Sequence, residues 1–174
     1  VVRAGRVPAG FDPRAHVVHK RYRYLVLRSL IRDPFWEQRA WRISERLNHA
    51  LMEQEARLLQ GEHDFAAFRG SADRRSNTVR RILRAQVRSA GSDPRLLEIV
   101  VTGERFLYHM VRIIAGTLVD VGRDRLGPGT VTRALESLSR NDLGVTAPPE
   151  GLYLEHVQLD EPWMDAWPEP GPAD

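Results

Sequence analysis

An arginine inside an apolar helical run is the first residue that calls for a chemical explanation. Arg112 lies within FLYHMVRIIAGTLVDVG, residues 106–122, and an unpaired guanidinium is very costly to bury. It must snorkel to water or meet a partner, and that partner is either a structural carboxylate or one that belongs to a site. A second pattern occupies HKRYRYLVL, residues 19–27. Strand-like alternation puts Tyr22, Tyr24 and Val26 on one face and Arg21, Arg23 and Leu25 on the other. Aromatics on one side and guanidiniums on the other can stack bases and hold phosphates, and an ordinary half-buried strand reads the same way. The densest basic stretch is 69–88, where seven arginines face a single acid, Asp73. Arg74, Arg75, Arg80 and Arg81 are its candidates for phosphate contacts, while a solvated sheet edge guarded by charge is the plainer alternative.

Other chemistries find little support. The 174 residues include no cysteine, which removes disulfides, thiolate metal sites, iron–sulfur clusters and cysteine nucleophiles. Neither a Gly-rich nucleotide loop nor a G-x-S-x-G elbow is present. His16 and His19, three apart beside a strand, point to opposite faces and make poor metal ligands. His109 is open to a role in a site, but on a helix flank it more often reads as a packed or hydrogen-bonded histidine.

The elements that must position these residues follow from periodicity. After the strand at 19–27, the apolar spacing turns helical from about Ile43 to Leu59, with Ile43, Leu47, Leu51 and Leu58 as a core stripe and Gly61 as a stop. Asp64 is placed to cap a short turn through Ala66, Ala67 and Phe68. TVRRILRAQV at 78–87 and the alternating Leu97, Ile99 and Val101 form an antiparallel hairpin about the turn cluster at 89–94. Residues 106–122 form a second helix that buries Met110, Ile114, Leu118 and Val121 and stops at Gly122. Thr130 caps a third helix through about Ser139, and a Pro-containing loop at 144–151 leads into the strand LYLEHVQL. This order predicts an α+β domain, a mostly antiparallel sheet with helices packed on one face. The domain spans 1–160, with 1–18 as a lead-in and 161–174 as an acidic, proline-rich tail.

Charge is divided along the chain. Net charge is +3, all basic residues but Lys20 are arginine, and after Arg140 only acids follow. The strongly basic body is the footprint expected for an anionic polymer or, equally, of arginine used as a solvated surface. No apolar run approaches the roughly 18–20 residues of a membrane span. A soluble, cytoplasmic protein that avoids membranes is the expectation.

The order of several segments carries a resemblance. FDPR at 11–14, KRYRYLV at 20–26, GEHDFAAFR at 61–69, TVRRI at 78–82, FLYHMVRIIAGTLVDVG at 106–122 and APPEGLYL at 147–154 together resemble the C-terminal half of the tRNA pseudouridine synthase A (TruA) family. The resemblance runs from about Phe11 to Leu159, and the HMVR-x-I-x-G and EGLYL segments are its most specific parts. It implies a tRNA-binding isomerase, a homodimer, that turns uridine into pseudouridine in the anticodon stem-loop at positions thirty-eight to forty, using neither cofactor nor metal. Tyr22 would stack on the flipped base, Leu152 would form an apolar wall, and Arg112 would pair with the nucleophilic aspartate. A neighbouring guanidinium holds such a carboxylate down by roughly 1–3 units. Arg21, Arg23, Arg74, Arg75, Arg80, Arg81 and Arg105 would supply the RNA-facing charge, Arg105 standing where the family commonly has a small residue. The chain has no GRTDAG segment, in which the family keeps its nucleophile. The resemblance therefore implies one cleft wall, inactive alone. The alternative is a non-catalytic RNA-binding or dimerisation module.

Overall fold

Alternating aromatic and β-branched residues make β1 (Val17–Arg28) the organising strand. The computed structural model describes Val7 and residues 9–91 and 93–160; the acidic tail expected at 161–174 and most of residues 1–8 lie outside the described residues. Along one side of β1 runs β5 (Leu96–Gly103), antiparallel, with Tyr22 opposite Val101 and Tyr24 opposite Ile99. The other side is shared. β6 (Leu152–Leu159) pairs antiparallel with Val17–Tyr24, and β2 (Trp41–Ile43) pairs parallel with Val26–Arg28. β4 (Val79–Ser89) and β3 (Gly61–Asp64) complete the order β2–β1–β5–β4–β3. The sheet is thus mixed, with a single short parallel pairing among the described residues, and the 78–101 hairpin is present as expected.

Sheet alternation separates two clusters. Tyr24, Val26, Leu97, Ile99 and Val101 face the helices in the main core, with Tyr22 packed against its edge. Leu25, Leu27 and Leu96 point the other way into a small cluster covered by Trp36 and Tyr153. On that second face, buried Glu98 accepts hydrogen bonds from Arg23 at 2.9 Å and Arg88 at 2.8 Å.

The helices depart from the sequence pattern in instructive ways. α1 (His49–Arg57) starts six residues later than expected, where the Asn48 side chain accepts from the Leu51 N–H, and Ile43 belongs to β2. Its buried residues are Met52, Glu55 and Ala56, followed by Leu59, whereas Leu58 is 39% exposed. The expected stripe failed because the true inward face contains an acid. Glu55 is fully buried and accepts hydrogen bonds from the Gly129 and Val131 N–H groups at the start of α3 (Thr130–Ser137). A carboxylate from another helix, and not Thr130, therefore satisfies the free N–H groups of α3; charged hydrogen bonds of this kind contribute about 1.5–3 kcal/mol each. α3 ends at Ser137, before left-handed Leu138.

α2 (Met110–Gly122) is buried at every position except Arg112. It starts four residues after Phe106 because His109 takes up a left-handed conformation, φ 59°, which breaks the helix. Gly122 is not the expected cap. It lies within the helix where a Cβ would press on the Met52 side chain, so its bareness lets α1 and α2 pack closely. Among the described residues neither this helix nor any other is long and apolar enough to cross a membrane. The capped turn at Ala66–Phe68 is found as expected, with Asp64 Oδ1 accepting from the Ala66 N–H at 2.9 Å.

Candidate functional site

Within the first turn of α2, Arg112 leaves the apolar layer sideways. Its Nε donates to the Ala147 carbonyl at 2.7 Å and its Nη1 to His109 Nε2 at 3.1 Å. Because Nε2 accepts, the imidazole is neutral with its proton on Nδ1. Burial and the adjacent guanidinium both push the pKa of His109 down, consistent with that state. Among the described residues no carboxylate comes within ion-pair distance of Arg112. A protein carbonyl and a neutral ring therefore hold the cation in place without cancelling its charge.

The segment that supplies the carbonyl is itself pinned to α2. Ala147 N–H donates to the Arg112 carbonyl, Gly144 N–H to Thr117 Oγ1, and Val145 N–H to Asp120 Oδ2. Such contact requires Gly116, where a Cβ would collide with the Val145 carbonyl. Farther along the same loop, Tyr24 Oη donates to the Pro148 carbonyl at 2.6 Å, which fixes the chain as it enters β6.

Tyr22, Leu152 and Arg112 line one cavity of about 110 Å³, together with Phe106, Leu107, His109, Met110 and Val111. An apolar cavity of about 150 Å³ admits benzene, so this space is on the scale of a single ring. Tyr22 meets Phe106 edge-to-face at 5.0 Å between ring centres. Burial raises the pKa of its phenol, so the hydroxyl stays protonated at neutral pH. The apolar walls lower the local dielectric, which strengthens any pairing between Arg112 and an incoming carboxylate. A different cleft of about 260 Å³ lies beneath residues 32–42, but its Arg32 and Asp33 are already paired with Glu37 and Arg95.

Asp73 fastens the segment that carries two walls of the ring-sized cavity, Phe106 and His109. It accepts from Arg75 Nε and Nη2 and from the Tyr108 N–H, while Arg75 Nη1 donates to the Phe106 carbonyl. The loop at 69–77 is thereby fastened to the segment that carries Phe106 and His109. Arg75's hydrogen bonds, followed by those of the backbone N–H groups, hold the Asp73 carboxyl far below its ordinary range despite its burial. Glu98 is raised by burial but pulled down further by Arg23 and Arg88, and ends lowered. Both acids are more acidic folded than unfolded. Their stabilising effect is complete above the unfolded carboxylate range near pH 4 and is lost as pH falls through the depressed folded values. Urea midpoints should therefore drop steeply below about pH 4, and Asp73→Asn should flatten that drop while lowering the plateau. An equally steep drop in the variant would exclude Asp73 as a source.

The arginines expected to face RNA divide into groups. Arg105, Arg75 and Arg80 lie close enough that the first two lower the pKa of Arg80, after burial as the leading cause. Arg74 and Arg105 are exposed, and Arg81 stands 3.9 Å from Glu104. Arg75 is engaged with Asp73. Arg23 lies on the far face between Glu98 and Glu155, and the exposed Arg21 shares that side of β1 by alternation, so neither joins the cavity. His109 is hydrogen-bonded, one of the readings its flank position allowed, whereas Phe106, expected within the helix, precedes it. The three-residue interval in HMVR was the available signal, since it sets His109 beside Arg112.

Comparison with known proteins gives a consistent likeness. A family model described as tRNA pseudouridine synthase matches residues 56–160. The tRNA pseudouridine synthase A of Geotalea daltonii is 42% identical over 154 residues, 88% of this chain and 62% of that protein. That of Myxococcus xanthus is 41% identical over 157 residues, 90% of this chain and 58% of that protein. The chain spans about three-fifths of the length of the curated relatives it matches.

Proposed function

Because this chain belongs to the tRNA pseudouridine synthase family, we propose that it forms one wall of a cleft in which a uridine of tRNA becomes pseudouridine. The target is the anticodon stem-loop at positions thirty-eight to forty, and the working protein is a cytoplasmic homodimer. The observation that carries the proposal is the cavity itself, ring-sized and bounded by Tyr22 and Leu152, with an uncompensated guanidinium in its wall.

Each wall has a task in that reaction. The base must leave its stack, at a cost of about a few kcal/mol, and a ring face at Tyr22 with an apolar contact at Leu152 offsets part of it. Arg112 keeps an aspartate ionised as nucleophile. The N1–C1′ bond breaks, the base turns, C5 bonds to C1′, and the proton lost from C5 is balanced by one gained at N1. No redox partner is needed. The aspartate must come from polypeptide outside these 174 residues, since the chain has no GRTDAG segment.

That same lack of a nucleophile favours a second possibility, a non-catalytic RNA-binding or dimerisation module. The two separate in one experiment. The chain alone, and the chain joined to a relative's GRTDAG-bearing segment, are incubated with anticodon stem-loop RNA labelled with tritium at uridine C5. Tritium release only from the joined protein is expected. Release from neither, while RNA still binds, would leave the module as the better account.

A further inference from the structure

A second cavity, about 470 Å³, adjoins the first, and His109 is a wall of both. Three guanidiniums line it from two distant stretches of chain: Arg69 and Arg74 in the loop after the Ala66–Phe68 turn, and Arg140 after α3. Among the described residues none of the three has a carboxylate within ion-pair distance, although ten other arginines do. The cavity's acid, Asp73, is occupied by Arg75 and the Tyr108 N–H. Internal hydrogen bonds use little of the donor capacity. Arg69 gives one to the Arg75 carbonyl at 2.9 Å, and Arg140 reaches Thr146 Oγ1 only at 3.4 Å. Arg140 is also half-buried, and desolvation lowers its pKa.

Three like charges around one concavity repel one another, and a partly desolvated guanidinium with idle N–H groups lacks the solvation that exposure would give it. An anion relieves both. The flat, forked donor set of arginine matches phosphate oxygens, and the hydroxyls of Ser71 and Thr146 add neutral donors to the same lining. We infer that this cavity is a phosphodiester subsite that holds the RNA backbone beside the nucleotide whose base enters the Tyr22–Leu152 cavity. The inference rests on the RNA-directed function proposed above and extends it to Arg69 and Arg140. The shared His109 wall makes the two subsites adjacent, so seating the backbone in one presents the base to the other.

The test is binding of fluorescent anticodon stem-loop RNA to the whole chain, followed by anisotropy across a salt series. Arg69→Gln with Arg140→Gln should weaken binding by about tenfold or more at fixed salt and reduce the log–log salt slope by about 1.4, the amount for two single-strand phosphates. Arg69→Lys with Arg140→Lys should retain most of the slope, which separates loss of charge from loss of fold. Arg42→Gln with Arg46→Gln, two exposed arginines in and just after β2, removes the same charge elsewhere and should alter the slope by less than half as much. An unchanged slope in the Arg69/Arg140 glutamine variant, or an equal loss in the Arg42/Arg46 variant, would overturn the subsite while RNA binding stands. Absence of RNA binding by the unaltered chain would overturn the RNA function itself, and the subsite with it.

Discussion

Gly116→Ala should lower the stability of the protein by about 3 kcal/mol or more, at the upper end of overpacking effects. Helix propensity alone predicts the reverse, since alanine is favoured over glycine by about 1 kcal/mol within a helix. The clash outweighs it because a methyl group at Gly116 would overlap the Val145 carbonyl and crowd the Ala147 N–H. Backbone cannot rotate away as a side chain can. Relief requires lifting the 144–147 segment, which breaks its hydrogen bonds to Thr117, Asp120 and the Arg112 carbonyl. The Nε bond from Arg112 to Ala147 goes with them, so the same change should weaken the cavity. Urea unfolding measures the effect as a lower midpoint. Gly127→Ala is the control, because no atom lies within 4 Å of a Cβ there, and its midpoint should stay within experimental scatter. Equal midpoints for Gly116→Ala and the parent protein would show that the 144–147 segment is not anchored as described.

Local pattern revealed most of the sheet and half of the cavity. Alternation in β1 put Tyr22 and Arg23 on opposite faces, and they lie on opposite faces, Tyr22 against the main core and Arg23 beside Glu98. The apolar density of residues 106–122 identified α2, and Arg112 stood out because its environment was wrong for it. Five features were beyond reach for physical reasons. Three- and four-residue strands such as β2 and β3 are too short for a period to show. The buried face of α1 contains Glu55, which reads as polar until its partners on α3, more than seventy residues later, are known. His109 departs from the helix through a backbone angle that no side chain announces. The pairing of Arg75 with Asp73 was hidden too, because Asp73, two residues away, could be seen only as an acid in a basic run and not as a bound partner. The convergence of Arg69 with Arg140 depends on packing between distant segments, and nothing in their spacing signals it.

Arg112→Ala should reduce turnover far more than RNA affinity in the chain joined to its aspartate-bearing partner segment, by about 100-fold or more in kcat. In the proposed reaction the guanidinium acts on a charge that the RNA does not carry, namely the nucleophile's, so a bound stem-loop should barely sense its removal. The pH profile gives the more specific readout. With Arg112 present, the aspartate stays ionised below its ordinary range and activity persists into mild acid. Without it, the acid limb should move upward by roughly 1–3 units. Arg112→Lys separates charge from geometry. The arginine uses Nε on Ala147 and Nη1 on His109 at once, which leaves the rest of the planar group to face the cavity. A lysine ammonium cannot reproduce that fixed fork, so its charge returns without its aim. Its acid limb should move part of the way back while kcat remains about tenfold low. Should Arg112→Ala lower affinity and turnover by the same factor, the guanidinium binds RNA and does not serve the nucleophile. Should it leave both intact, its placement in the apolar face of α2 serves only to hold Ala147 and the loop behind it.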